Sequence, residues 1–141
     1  MQIQTPLPAT RPKLPEAEKI TINLGYVDLG QVDLLVAEGF YSNRTDFIRT
    51  AIRNQLTAHG EALKQVVARK MLVLGLQQFS ADDLEAVRRA GEKLEIRVLG
   101  LATISADVTP ELALETIGSV TVLGALHASA AVKAALADRL R

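Results

Sequence analysis

Residues 19–56 read KITINLGYVDLGQVDLLVAEGFYSNRTDFIRTAIRNQL, and how this stretch is read decides the fold. Its first six residues alternate in polarity. Ile20, Ile22 and Leu24 point one way, and Lys19, Thr21 and Asn23 point the other, which is the period of a β-strand with one buried face. Gly25 ends the alternation, and the residues after it follow a helical period. A lone strand leaves its N–H and C=O groups unpaired, and even a two-stranded ribbon is marginal without packing. The partner strand has to come from elsewhere.

The first helix is expected over residues 27–38, with Val32, Leu35 and Val36 on one face. Gly39 then supplies the left-handed residue that commonly ends a helix. A second helix opens at SNRTD. Asn43 caps it, and Asp46, three residues on, reaches back as a variant capping box. Phe47, Ile48, Ala51, Ile52 and Leu56 form an apolar stripe, with Arg44, Arg49 and Arg53 mostly off it, and the pattern stops near His59 and Gly60. A strand and two helices of about 40 residues cannot enclose a core alone. Two copies about a twofold axis can do so. Their strands pair antiparallel, the polar row faces outward, and the apolar row faces a bundle of four helices. The dimer core is then Ile20, Ile22, Leu24, Val32, Leu35, Val36, Phe47, Ile48 and Ile52.

Beyond Gly60 the chain repeats itself. MLVLGLQQFSAD begins at Met71, IRVLGLATISAD at Ile96 and VTVLGALHASAA at Val120, which are spacings of 25 and 24 residues. Each copy is an alternating strand carrying a glycine (Gly75, Gly100, Gly124) and followed by a helical stretch. A strand plus a helix at this period cannot bury its apolar face alone, so the copies stack. Three parallel strands with helices along one side are expected, and KQVVAR, just before Met71, is expected to extend the first strand. Residues 1–18 hold four prolines, at 6, 8, 12 and 15, and read as a flexible arm.

Composition narrows the function. Apolar residues make up 48% of the 141, enough for a core, yet no run of 18 is apolar throughout, which argues against a membrane-spanning helix. The first residues carry no apolar core of a secretion signal. With no cysteine there is no disulfide, thiolate metal site or cysteine nucleophile, which suits the cytoplasm. His59 reads as a helix-end residue and His127 as part of the repeat, and two histidines without a carboxylate cluster make no metal site. No nucleophile elbow, phosphate-binding loop or His/carboxylate pair is present, so no catalysis and no cofactor are expected. Net charge is zero; residues 1–70 carry nine Lys/Arg against seven Asp/Glu, a bias that permits a nucleic-acid partner without arguing for one.

The segments ITINL, VDLLVAEGFY and SNRTDFIRTAIRNQL, in this order and spacing, resemble the ribbon-helix-helix family, the CopG, MetJ and Arc type of bacterial repressor and antitoxin domain. The resemblance covers residues 19–57 and does not reach the repeat. It rests on Gly39 at the helix junction, then Asn43, Arg44, Thr45, Asp46, Phe47, Ile48 and Arg49. The resemblance implies binding of double-stranded DNA, with the ribbon in the major groove and Lys19, Thr21 and Asn23 at the base edges. It also implies that Asn43, Arg44 and Thr45, at a helix N-terminus, hold phosphates. Many family members carry a basic residue in place of Asn23 and a proline in place of Gly25, so this ribbon has fewer cations, and Asp28 lies close by.

The expected architecture is α+β: an arm over 1–18, a ribbon-helix-helix domain over 19–60 and a small solenoid-like three-copy β/α repeat domain over 61–141. The expected function is a homodimeric, cytoplasmic and nucleoid-associated transcriptional repressor, with higher oligomers formed through the repeat. The rival is a self-associating scaffold, or an antitoxin-like protein, whose tail grips a protein partner.

Overall fold

The computed structural model describes residues 17–141, so the proline-rich arm lies almost wholly outside the described residues. The chain forms two compact units, one ending at Ile52 and the other running from Arg53 to Arg141.

In the first unit, residues 17–25 carry no strand or helix and belong to no sheet among the described residues. Helix α1, Tyr26–Ala37, starts directly after Gly25 and carries Asp28 in its first turn, where a negative charge suits the positive end of the helix dipole. Its end is a Schellman turn. Gly39 sits at φ +86, its N–H donates to the Val36 carbonyl at 3.1 Å, and the Phe40 N–H donates to the Leu35 carbonyl at 2.9 Å. A side chain at this φ is strained, so glycine is the natural residue there. Helix α2, Arg44–Ala58, follows α1 after a six-residue connection, residues 38–43. Tyr41 packs edge-on against Phe47, with centroids 5.0 Å apart, and pins the turn to the helix it precedes.

The second unit takes in the end of α2 and then helix α3, Gly60–Lys70. This corrects the expectation for KQVVAR, which lies in α3 and not in the first strand. Val66 and Val67 are adjacent and stand three and four residues beyond Leu63, a helical spacing and not an alternating one. Arg69 and Lys70 complement the negative end of the dipole. Met71, at φ +53, takes the left-handed position that closes the helix.

Three strands follow: β1, Val73–Phe79; β2, Leu94–Ile104; and β3, Ile117–His127. They form one parallel sheet in the order β1-β2-β3. Between and after them come α4, Ala81–Arg89, α5, Pro110–Thr116, and α6, Ala130–Ala135, then a 3-10 turn at Ala137–Arg139. Each helix has a hydroxyl cap. Ser80 and Asp83 form a full capping box on α4, Thr109 caps α5 with proline at its first turn, and Ser129 caps α6. With the strands in sequential order, the rule that parallel crossovers are right-handed puts the helices on one face of the sheet, and α4 packs on α5 and α5 on α6. Leu84, Leu112, Val132 and Leu136 from the helical side close over Ile96, Val98, Ile104 and Val120.

The three glycines stand in register, Gly75 beside Gly100 beside Gly124, all at positive φ (124°, 141° and 119°). They are not equivalent. A Cβ on Gly100 would fall on the carbonyl oxygen of Gly75, and one on Gly124 on the carbonyl oxygen of Gly100, whereas one on Gly75 meets nothing within 4 Å. The C-terminal carbonyls of α5 are held by cations: the Lys93 Nζ donates to the Glu115 carbonyl at 2.8 Å, and the Arg139 guanidinium donates to the Leu114 and Ile117 carbonyls at 2.7 Å.

Candidate nucleic-acid interface

The site is built on the alternating segment ahead of α1. Lys19, Thr21 and Asn23 are exposed. The alternate residues are also open: Ile20 is 72% exposed, Ile22 57% and Leu24 42%. These three line a groove of about 470 Å³, together with Val32 and Leu35 from α1 and Phe47, Ile48, Ala51 and Ile52 from α2. Asp28 and Gln31 give it a polar margin. Every residue expected in the dimer core lines this groove except Val36, which is half-buried within its helix. In this unit Val32 is the core residue that is already buried.

Solvent-exposed aliphatics facing a concave apolar surface make an unfinished core. Fully burying one such side chain yields about 1.5–3 kcal/mol, and three line this groove. The segment therefore has two unlike faces, one polar and exposed, the other apolar and lining a cleft.

The N-terminus of α2 supplies the other half of the site. The Asn43 Oδ1 accepts from the Asp46 N–H at 2.8 Å, and the Asp46 Oδ2 accepts from the Ser42 N–H at 2.9 Å. Asp46 thus reaches back to the residue before the cap, one position earlier than the sequence pattern places it. The first intrahelical bond of α2 runs from the Phe47 N–H to the Asn43 carbonyl at 3.2 Å, which leaves the Arg44 and Thr45 N–H groups ahead of it. Free first-turn N–H groups and the positive end of the dipole suit an anion.

Arg44 is not free to wait for one. Its Nε donates to Asp33 Oδ1 at 2.8 Å and its Nη2 to Asp33 Oδ2 at 2.9 Å, a two-pronged pair tying α2 to α1. The Arg44 hydrogen bonds and charge hold the Asp33 carboxyl below the ordinary aspartate range, and Asp33 in turn raises Arg44. An Arg44 that grips a phosphate has to share or break that pair. Asp33 is a residue that sequence reasoning misses. It stands eleven positions before Arg44 on a different helix, a separation no helical or strand period makes visible.

Arg49 and Arg53 are exposed on α2, and His59 is exposed where α2 meets α3. His127 lies half-buried at the end of β3. Among the described residues no cluster of His, Asp or Glu could hold a metal, and no helix is long and apolar enough to cross a membrane.

A family model described as the ribbon-helix-helix transcriptional regulator family matches residues 15–133. The match begins ahead of the alternating segment and continues through all three strands, so it takes in the βα units that the resemblance over 19–57 left out. No curated protein and no solved structure matches the chain.

Proposed function

The chain belongs to the ribbon-helix-helix transcriptional regulator family, and from that premise we propose that it is a sequence-specific repressor that works as a homodimer by occupying an operator in the bacterial cytoplasm. Two copies of the 19–24 segment pair antiparallel. Lys19, Thr21 and Asn23 then line the outward face of one ribbon, and the two grooves close over Ile20, Ile22 and Leu24 of both chains. The single observation that carries this reading is the two-faced character of the segment, with its polar row in solvent and its apolar row along a cleft between α1 and α2.

The chemistry then divides. Lysine donates to guanine O6 and N7, asparagine pairs with adenine through N6 and N7, and threonine offers a hydroxyl or a methyl to thymine, so the ribbon reads bases. Thr45 and the first-turn N–H groups of α2 take backbone phosphates on either side, so the helix ends set register and orientation. Asn43 contributes its remaining amide N–H groups, and Arg44 contributes to the extent that Asp33 releases it. The regulator acts by occupancy.

The test is fluorescence anisotropy of the full chain with duplexes from its own promoter region, alongside light scattering. A dimer making about four to six phosphate contacts should lose roughly 10²–10³-fold in affinity between 50 and 200 mM salt. Random duplexes should bind weakly with a similar salt slope. A dimer that shifts no duplex at low salt would leave the polar row without a reader's role.

A further inference from the structure

The β-sheet of the second unit has an outer face that its own helices do not cover. Strands alternate, and the sheet packs one set of side chains into the core, including Ile96, Val98, Val120 and Val122. The opposite set forms two rows across the three strands, Leu74, Leu99 and Leu123, then Leu76, Leu101 and Ala125. Leu74 is 75% exposed, Leu76 65% and Leu123 50%. No charged residue interrupts these rows. At the margin, the Arg97 guanidinium is tied to Glu95 at 2.8 Å, and its other nitrogen reaches the Lys70 carbonyl at 3.3 Å. Parallel sheets occur almost always with both faces covered, and strands with aliphatics on both sides are the mark of that state. Here the helices following the strands lie on one side, as the crossover rule requires.

We propose that this leucine face packs against the same face of the second chain of the dimer, so that the two tails close as a twofold sandwich. This deepens the reading of the chain as a ribbon-joined dimer and rests on it. Two arguments select a second copy as occupant. The face is aliphatic and uncharged, so its complement is a surface of the same kind, and a twofold axis supplies one automatically. The area makes the second argument. Three strands about 4.8 Å apart and five residues of about 3.3 Å rise cover only roughly 250 Å² per copy, against about 800 Å² per partner in a stable complex. Such a face does not associate alone, but two copies already joined elsewhere meet at an effective concentration of about millimolar, which suffices for a weak apolar contact. The tails thereby add a second clasp to the dimer and restrict how its two halves sit on an operator.

The protein has no cysteine, so a single introduced thiol reports cleanly. Leu74→Cys and, as a control on the helical side, Arg89→Cys are each made in the full chain and alkylated with a maleimide. In the dimer Leu74→Cys should react about tenfold or more slowly than in the monomer, the monomer being reached by dilution and independently by adding Ile22→Lys. Arg89→Cys should react fast in both. Equal rates for Leu74→Cys in dimer and monomer overturn the proposal. Slow reaction in both states also overturns it, because the cover then comes from the same chain. Protection that develops only well above the dimerisation range assigns the face to contacts between dimers and overturns it as well. Sedimentation of the unmodified chain separates the two readings: a chain that is monomeric throughout refutes the ribbon dimer and this clasp together, whereas a dimer with an unprotected thiol refutes the clasp alone.

Discussion

Truncating Ile22 to alanine tests the two-faced segment most directly, because the neighbouring Asn23→Ala serves as its internal control. Ile22 is 57% exposed in the chain and lines the apolar groove. Isoleucine-to-alanine changes in formed cores cost about 2–5 kcal/mol. If the fraction now exposed is the fraction buried on pairing, roughly half of that, about 1–3 kcal/mol per chain, falls on dimerisation. Twofold symmetry counts it twice, so the dimer should weaken by about 2–6 kcal/mol, or roughly 30- to 10⁴-fold in Kd. Asn23 points the other way and is exposed, so Asn23→Ala should leave the dimer Kd within about threefold. It should instead cost about 1–3 kcal/mol of discrimination at one base pair per half-site. Sedimentation equilibrium of labelled protein measures the first quantity, and selection of bound fragments from random duplexes measures the second. The reasoning is refuted if Ile22→Ala leaves the dimer constant unchanged, or if Asn23→Ala weakens the dimer as much as Ile22→Ala does.

Thr45→Ala should weaken specific and random duplexes alike and lower the salt slope by about one for each phosphate no longer held, read from titrations at several salt concentrations. A change confined to one sequence would move Thr45 from positioning to reading. The glycine row makes a paired prediction. Gly75→Ala meets only an unfavourable φ, worth about 1–3 kcal/mol, while Gly100→Ala adds backbone overlap with Gly75. The second variant should therefore unfold at a urea midpoint lower than the first by about 1–2 M, if overlap adds about 2 kcal/mol and the slope is about 1–2 kcal/mol/M. Equal midpoints by circular dichroism would remove the close approach as the reason for glycine at position 100. Asp33 has a folded pKa below its unfolded value, so the Asp33–Arg44 pair stabilises fully above the unfolded value and loses that contribution as pH falls through the folded one. The stability gap between the natural chain and Asp33→Asn should be flat at neutral pH and close below about pH 4. A gap unchanged at pH 3 would show that the pair contributes nothing through its charge.

Much of the local structure could be read from neighbours in the chain. Gly39 closes α1, and Asn43 caps α2 with Asp46 reaching back; a cap or a turn is decided within about four residues, inside the range of a sequence pattern. The recurring glycines, 25 and 24 residues apart, stand side by side in the sheet. The segment KQVVAR misled. Read alone, a short apolar pair fits strand or helix; with Leu63 three and four residues before it and with the charged ends of α3, the spacing is helical.

The sequence by itself determined local polarity: which side of residues 19–24 is oily, which stripe of α2 is apolar, and where α1 and α2 begin. Tertiary structure alone decided that Asp33 claims Arg44 across two helices, that Gly100 touches a carbonyl while Gly75 does not, and that the helices leave one side of the sheet open. The physical reason is range. Polarity follows from side-chain chemistry and a period of two or 3.6 residues, whereas a contact between positions eleven or 25 residues apart exists only once the chain has chosen which of its faces to bring together.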